Sequence, residues 1–289
     1  MMLQFLPQVL WEGVIIGLII SMVAMGISLT WGVMYIVNFA QGELLMISMF
    51  MSFFFTVYTG LDPLIALPII IVVMYFFGTL LYKVLIKKIM SATVLSQLLL
   101  TFSLGILIMN LSLITFTGRF RTVSTQYFTE VHRFESLNLF IAMNRVIPVI
   151  ICLATAAVLY IILNKTQLGR AIKATALNKK AASLVGIDPE KAYTRCVGIS
   201  CATAGAGGVA FSYFFYVFPH VGMVYIIFAF VAACIGGMGS IPGVLIGGIA
   251  MGLIDSIVGT YFNVSFKYLA IFMLYIIIIY KRPKGLFGW

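Results

Sequence analysis

The charged residues of this chain are spaced so unevenly that long stretches contain none. Uncharged stretches occupy residues 13–42, 44–61, 63–82, 89–118, 146–164 and 196–254. The pattern predicts an all-α, polytopic membrane protein with about 8–9 transmembrane helices, since a crossing needs about 20 mostly apolar residues. These helices are expected near residues 12–31, 36–58, 64–86, 92–116, 145–164, 195–216, 222–237, 243–261 and 264–281. The seventh is short for a full crossing.

The composition agrees with this pattern and excludes a water-soluble fold. Of the 289 residues, 63% are hydrophobic and 9% are charged, and the mean hydropathy is +1.15. Soluble proteins carry charges on about a quarter of their residues. The net charge of +10 does not indicate nucleic-acid binding, because the basic residues are spread over short loops between apolar runs. The four cysteines lie in or beside apolar segments without metal-ligand spacing, so no metal site is expected.

Lysine and arginine mark one side of the membrane. They cluster at the end of the third predicted span, in the loop after the fifth span and in the C-terminal tail. These three segments hold 13 of the 18 basic residues, namely Lys83, Lys87, Lys88, Lys165, Arg170, Lys173, Lys179, Lys180, Lys191, Arg195, Lys281, Arg282 and Lys284. Cytoplasmic loops are enriched in these residues, so all three segments are predicted to face the cytoplasm. Three crossings precede Lys83, which places the N-terminus outside.

The chain is predicted to be a single transmembrane domain, 1–289, with a cytoplasmic loop at about 165–192 and an external loop at about 117–144. These polar segments are too short to hold an enzyme module. The dipeptide Gly-Lys does not occur, so the chain has no Walker A motif for binding nucleotide phosphates. We therefore expect no enzymatic activity and no cofactor, and any use of ATP must come from another chain.

The predicted cytoplasmic loop has the pattern of two short helices with a break. Apolar residues recur at helical spacing in two groups, Ile172, Ala176 and Leu177, then Ala181, Leu184 and Val185. Gly186 suits the C-terminal end of a helix, and Asp188-Pro189 is typical of an N-cap and first helical residue. A short amphipathic helix either lies on lipid headgroups or fills a groove on a cytoplasmic partner. A basic loop without a partner is the remaining alternative.

A second polar feature lies at the start of the second predicted span. It contains Asn38, Gln41 and Glu43 within six residues. Ionisable side chains at membrane depth are costly and usually face a cavity or a partner. Asn38 and Gln41 are three residues apart, so we expect them on one face of a helix. The segment is either part of a substrate pathway or an interfacial cap at the start of the second span.

A third feature is the glycine-rich segment that follows the seventh span. Small residues four apart let helices approach closely, so we assign Gly243, Gly247, Gly248 and Gly252 to helix packing. The backbone of Gly236, Gly237 and Gly239 is a candidate for ligand contact, with backbone shaping as the alternative. Asp255 is a further intramembrane acid. We expect it to pair with Ser256 or another helix, or to lie at a cavity rim, because Lys267 is expected at the opposite membrane face.

Four segments of the chain resemble the permeases of branched-chain amino-acid ABC importers. They are GISLTWGVMYIVNFAQGELLM (Gly26–Met46), TQLGRAIKATALNKKAASLVGI (Thr166–Ile187), AFVAACIGGMGSIPGVLIGG (Ala229–Gly248) and KRPKGLFG (Lys281–Gly288). They occur in the expected order over nearly the whole chain, and the closer likeness is to the shorter of the two paralogous permeases. Departures are Gln41 where His is usual, Asp255 where Glu is common, and Lys180 where the coupling motif usually begins with Glu.

The resemblance implies an ABC importer permease fold that moves branched-chain or related amino acids across the bacterial cytoplasmic membrane by alternating access. Its implied partners are a second paralogous permease in a heterodimer, two cytoplasmic ATPase subunits and an extracytoplasmic substrate-binding protein, and the permease itself contacts membrane lipid. ATPase coupling is expected at Gly169, Arg170, Ala181, Ala182, Leu184 and Gly186. The substrate pathway is expected to include Asn38, Gln41, Glu43, Gly236, Gly237 and Gly239.

Other functions remain open from the sequence. Within the same superfamily, the substrate is alternatively urea or a short amide, or a sugar or nucleoside. A secondary transporter or channel working alone would use intramembrane acids such as Glu43 and Asp255 for ion coupling. A membrane enzyme is disfavoured, because no loop holds a cluster of His, Asp and Cys.

Overall fold

The computed structural model describes residues 5–123, 131–134 and 139–288. The first half contains α1 (Leu6–Met34), α2 (Gln41–Thr59), α3 (Pro63–Leu81), a π-helical turn (Tyr82–Ile86), α4 (Lys87–Ile89) and α5 (Val94–Phe116). An antiparallel hairpin of β1 (Val131–Phe134) and β2 (Leu139–Ala142) follows, with Val131 opposite Ala142. The second half contains α6 (Met143–Lys165), α7 (Gln167–Leu177), α8 (Lys179–Leu184), α9 (Pro189–Ser212), α10 (Val221–Gly236), α11 (Ile241–Tyr261) and α12 (Val264–Lys281).

A helix lies in every one of the nine predicted spans, and the predicted all-α, multi-pass fold is confirmed. Within the described residues, seven helices are long and apolar enough to cross a membrane, with α3 and α4 counted as one. The helices in the sixth and seventh predicted spans, α9 and α10, are not among these seven, for different reasons. α10 has 16 residues and is about 24 Å long at 1.5 Å per residue, shorter than a hydrocarbon core of about 30 Å. α9 has 24 residues but is less apolar, because its buried surfaces carry serine, threonine and glycine.

The bundle is organised around α1 and α9. α1 packs against α6, α9, α10 and α11, and α9 packs against α1, α2, α3 and α6. The most apolar window of α1 is 89% buried, whereas that of α12 is 6% buried. α3, α5 and α12 carry many exposed apolar side chains, including Phe76, Leu107 and Ile276. In a bilayer, these outer faces contact lipid or another membrane subunit.

Glycines let α1 and α11 pack backbone to backbone. The two helices run antiparallel, with Gly13 beside Gly252 and Gly17 beside Gly248. A Cβ added at Gly252 would overlap the carbonyl oxygen of Gly13, and one at Gly17 would lie 2.7 Å from the Cα of Ile249. Close approach of this kind requires residues without side chains. Gly243 and Gly247 lie on α11 against Gly236 and Ala232 of α10.

The three basic segments lie at one end of the bundle. Lys87, in the segment after α3, forms an ion pair of 2.6 Å with Glu190 at the start of α9. The C-terminal tail lies beside α10, where Leu286 and Phe287 donate backbone hydrogen bonds to the carbonyls of Ile235 and Gly236. A cavity of about 480 Å³ at this end is lined by residues of the tail and α7 together, including Lys284 and Leu177.

The opposite end holds the start of α1 and the segment between α5 and α6. Arg145 of α6 pairs with Glu12 of α1, and the backbone N–H of Phe140 donates to Gln8 at 2.9 Å. Much of the predicted external loop, residues 124–130 and 135–138, lies outside the described residues. The basic segments and the start of α1 therefore lie at opposite ends of the bundle.

Candidate functional site

The polar segment before α2 is a turn and not a helix. Residues 35–40 are non-helical, and α2 begins at Gln41. The expectation that Asn38 and Gln41 share a helix face is therefore wrong. Asn38 instead folds back on its own backbone, where its Oδ1 accepts a hydrogen bond of 3.1 Å from the N–H of Ala40. Asparagine favours such local turns over helix interiors, a preference that helical spacing alone does not reveal.

Gln41 forms the centre of a buried polar cluster. Its Nε2 donates to the carbonyl oxygen of Ser200 at 2.9 Å, and the Ser200 hydroxyl lies 3.2 Å from its Oε1 and donates to the carbonyl of Gly26 at 2.8 Å. Ser200 lies about three turns into α9. α2 therefore begins inside the bundle, in contrast to the alternative of an interfacial cap.

Gly26 makes room for this cluster. A Cβ at this position would overlap the amide of Gln41 and lie 3.0 Å from the Thr203 hydroxyl. The Gln41 side chain therefore holds α2 against α9, next to Gly26 of α1. Both ends of its amide already have protein partners.

Glu43 lies two residues further along and faces away from that cluster. It lines a cavity between α2, α5 and α10 together with Phe39, Phe102 and Met223. Its Oε2 has no hydrogen-bond partner among the described residues, and neither has the Nδ2 of Asn38. The carboxylate is in the first turn of α2, where the helix dipole favours negative charge.

The glycines at the end of α10 do not line the Glu43 cavity. Gly236 lies against Gly243, Gly237 has φ +100° and lies against Gly288 of the tail, and Gly239 lies against Gly32 of α1. The Ser28 hydroxyl also accepts a hydrogen bond of 2.8 Å from the N–H of Gly239. The six predicted pathway residues therefore divide between a site within the bundle and the junction of α10, α11 and the tail at the basic end.

The loop from 166 to 188 contains the two predicted short helices. The Thr166 hydroxyl caps α7, and the Asn178 side chain caps α8 through the N–H of Ala181 at 3.0 Å. Gly186 has φ +82°, as expected at a helix C-terminus, and Asp188 caps α9 through the N–H groups of Glu190 and Lys191. The hydrogen bond from the Lys191 backbone is the main cause that lowers the pKa of Asp188.

The candidate coupling residues of this loop have different surroundings. Gly169 is buried against the Ile162 and Leu163 carbonyls of α6, and Arg170 is exposed. Leu184 and Val185 are 89% and 75% exposed, although both are apolar. Ala182 is 3% exposed and belongs to the interior of the chain. Ala182, one of the residues expected at ATPase coupling, therefore does not share the exposed side of α8 on which Ala181 and Val185 lie.

Asp255 pairs with Lys267, a residue expected from the sequence at the opposite membrane face. Lys267 Nζ lies 3.1 Å from its Oδ1, so the two form an ion pair between α11 and α12. Only residues 262 and 263 separate these helices, and the Lys267 stem runs back past Gly259, whose added Cβ would lie 3.8 Å from the Lys267 Cδ. A long lysine side chain can place its ammonium well away from its own Cα.

The whole bundle, including the turn before α2 and the loop after α6, falls within one known family. The family model described as branched-chain amino acid transport system / permease component matches residues 9–280. The chain belongs to this permease family. It is the permease component of a branched-chain amino acid ABC transport system, a transport subunit and not an enzyme. Such a permease works in a multi-subunit system, and the resemblance seen in the sequence is confirmed.

Relatives of this permease match over nearly its whole length. The high-affinity branched-chain amino acid transport system permease protein LivH of Escherichia coli strain K12 is 29% identical, with 99% of this chain and 96% of the relative covered. BraD of Pseudomonas aeruginosa is 26% identical, with 97% and 95% covered. A probable LivH of Methanocaldococcus jannaschii is 29% identical, with 90% and 83% covered. No solved structure matches the permease.

Proposed function

We propose that this permease imports branched-chain or related amino acids across the cytoplasmic membrane by alternating access, driven by separate ATPase subunits. The whole chain, 1–289, acts as one transmembrane domain. The observation that carries the proposal is an exposed apolar surface at the basic end of the bundle, outside the membrane-spanning helices.

This surface, the coupling face, consists of Ala181, Leu184 and Val185. The three residues are three and four apart and therefore share one side of α8 and its C-terminal end. Exposing two large apolar side chains to water has a free-energy cost that a groove on a partner removes. A helix that lies on the membrane normally carries bulky aromatic residues on its apolar face, and none occurs between Lys165 and Glu190. We therefore assign the coupling face to the cytoplasmic ATPase.

The loop is built to transmit force from that partner into the bundle. Gly169 fixes α7 directly against the end of α6, and the Asp188 cap leads without a linker into α9. α9 in turn packs on α1, α2, α3 and α6. A displacement of α8 on ATPase closure would therefore reach the centre of the bundle, where it would open the substrate pathway outward.

Two further assignments complete the proposal. The three basic segments lie at one end, and enrichment in Lys and Arg assigns that end to the cytoplasm. The N-terminus of α1 then lies outside. The remaining partners in this proposal are a second, paralogous permease and an extracytoplasmic binding protein, as the resemblance implies. The name of the E. coli relative, a branched-chain amino acid transport system permease, supports the substrate class.

Uptake in cells tests the proposal. A host strain without branched-chain amino acid import would receive this chain together with its partner subunits, and uptake of labelled leucine would be measured. We expect an excess of unlabelled isoleucine or valine to reduce leucine uptake, and an excess of urea or ribose to leave it unchanged. Competition by urea or ribose with no effect of isoleucine would assign the chain to another substrate class, and uptake independent of the ATPase subunits would favour a secondary transporter.

A further inference from the structure

Glu43 is a buried acid that takes no part in the hydrogen bonds around Gln41. The residue is 5% exposed, and its Oε2 has no hydrogen-bond partner among the described residues. Each of the four ion pairs found in the described chain uses other acids. By contrast, Asp255, also within a spanning helix, has Lys267 at 3.1 Å.

The cavity beside Glu43 is small and otherwise apolar. It has a volume of about 220 Å³ and lies between α2, α5 and α10. Pockets for drug-sized ligands have roughly 300–1,000 Å³, so this cavity suits a smaller solute. Among the described residues that line it, Glu43 is the one ionisable residue, and the others are Phe39, Phe102, Gly105, Ile106, Met109, Met223, Ile226 and Ile227.

Two glycine contacts keep the carboxylate facing open space. Gly42 and Gly222 pack backbone to backbone, which brings α10 directly against the first turn of α2. Gly105 of α5 faces Glu43, and a Cβ at that position would lie 3.5 Å from the Glu43 Cγ. The side chain therefore extends into the cavity between the helices, where its Oε2 lacks a hydrogen-bond partner among the described residues.

An unpaired carboxylate in an apolar cavity is stabilised by a cationic group. Removing a carboxylate from water without a counter-ion is costly, and the dipole at the start of α2 offsets only part of that cost. A cationic group of a ligand would provide the missing partner. An apolar wall next to a single acid matches a small solute with an ammonium group beside an aliphatic side chain.

We propose that this cavity is a subsite for the transported amino acid, in which the Glu43 carboxylate pairs with the ammonium group. Phe102, Met223 and Ile226 form the wall that receives the aliphatic side chain. The inference rests on the proposed function, because it assumes that the solute crossing the bundle is an amino acid. It assigns to Glu43 a role that the hydrogen-bonded Gln41 does not share.

Protection of a cysteine in the cavity tests this subsite directly. In the assembled transporter with its four native cysteines replaced, Ile106→Cys would be alkylated by a maleimide in the absence of the binding protein. Leucine and isopentylamine both carry the ammonium group and should slow alkylation, whereas 4-methylpentanoate, which lacks it, should not. Glu43→Gln should weaken protection by about tenfold to a hundredfold, the range for losing a hydrogen bond to a charged group.

Controls separate a binding role from a structural one. Asp255→Asn removes the other intramembrane acid and should leave protection by leucine as in the wild type. Gly105→Ala keeps the acid but narrows the cavity at an ordinary contact distance, so it should reduce protection by leucine without lowering the melting temperature. If Glu43→Gln destabilises the transporter, the Gly105→Ala result still decides whether the cavity is used.

The outcomes distinguish this inference from the proposed function. Equal protection by leucine and 4-methylpentanoate, protection unchanged in Glu43→Gln, or no protection by any of the three compounds would each overturn the subsite. These results leave leucine uptake by the wild-type transporter untouched. Absence of uptake of any amino acid by the wild type would instead contradict the proposed function.

Discussion

Both ends of the Gln41 side-chain amide contact Ser200: Nε2 donates to the Ser200 carbonyl at 2.9 Å, and Oε1 lies 3.2 Å from the Ser200 hydroxyl. This pair joins the start of α2 to the middle of α9. Because both residues are fully buried, no water is available to replace a lost partner. The pair therefore fixes the position from which α2 begins.

Gln41→Leu should destabilise the protein. The substitution removes the amide, but the Ser200 hydroxyl keeps the Gly26 carbonyl as its acceptor and the Ser200 carbonyl keeps the Thr203 hydroxyl as its donor. We therefore expect a loss of about 0.5–1.5 kcal/mol, the net value of a typical hydrogen bond. The measurement is the thermal unfolding midpoint of the purified transporter in detergent. Gln167→Leu, at an exposed position at the start of α7, is the matched control and should leave the midpoint unchanged. Equal midpoints for both variants would show that the pair contributes nothing to stability.

Gly252→Val should disrupt the packing of α11 on α1. Its Cβ would overlap the carbonyl oxygen of Gly13, and backbone atoms cannot rotate away as a side chain can. Overpacking typically costs about 1–3 kcal/mol, and occasionally more, so we expect low yields of folded protein in size-exclusion chromatography. Gly259→Ala, on the same helix with Lys267 Cδ at 3.8 Å as its nearest neighbour, should give wild-type yields. A normal yield of Gly252→Val would contradict the close packing.

The coupling face gives a separate prediction. Leu184→Asp and Val185→Asp change exposed residues and should alter the free energy of unfolding by no more than about 0.5 kcal/mol. Each should lower association with the ATPase by about tenfold or more, because docking would bury an unpaired carboxylate. Pull-down of the ATPase subunit measures this. Retention of wild-type association by both variants would exclude the coupling face as the docking site.

Gly186→Val tests the helix end behind that face. A β-branched residue at positive φ costs about 1–2 kcal/mol, and in the part of the chain that the structure describes no atom lies within 4 Å of an added Cβ at this position. The effect should therefore come from the backbone alone. We expect reduced uptake with normal membrane insertion, measured as leucine uptake against the amount of the chain in the membrane. Ser183→Val, one turn earlier and also exposed, is the control and should retain uptake.

Cysteine labelling tests the orientation. In a background without the four native cysteines, Tyr58→Cys and Ala181→Cys place single thiols at exposed positions near opposite ends of the bundle. A membrane-impermeant maleimide added to intact cells should label position 58 and should reach position 181 only after the cells are broken. The reverse pattern would invert the proposed orientation.

Features that depend on local sequence could be predicted. Uncharged stretches mark the helices because the bilayer excludes charge over a known thickness. The helix end at Gly186 and the cap at Asp188 depend on the conformational preferences of single residues. The glycines of α11 were also predictable as packing positions, because their four-residue spacing brings small residues onto one side of a helix.

Features that depend on which helices meet could not be predicted. The spacing of Gly248 and Gly252 does not reveal that Gly13 and Gly17 of α1 are their partners. Ser200 has no sequence signal that links it to Gln41, and the direction in which Ala182 faces depends on how the loop folds back against the bundle. A cavity such as the one beside Glu43 is bounded by three helices far apart in sequence, so it becomes visible only in the folded chain.

Leucine transport by the purified system is the most direct test of the proposed ATP-driven import. This chain, its paralogous permease, the ATPase subunits and the binding protein would be reconstituted in vesicles, and accumulation of labelled leucine would be followed with and without ATP. We predict accumulation that requires ATP, the binding protein and this chain together, and that disappears in the Leu184→Asp variant. Accumulation driven by an ion gradient without ATP, or undiminished when this chain is omitted, would contradict the account.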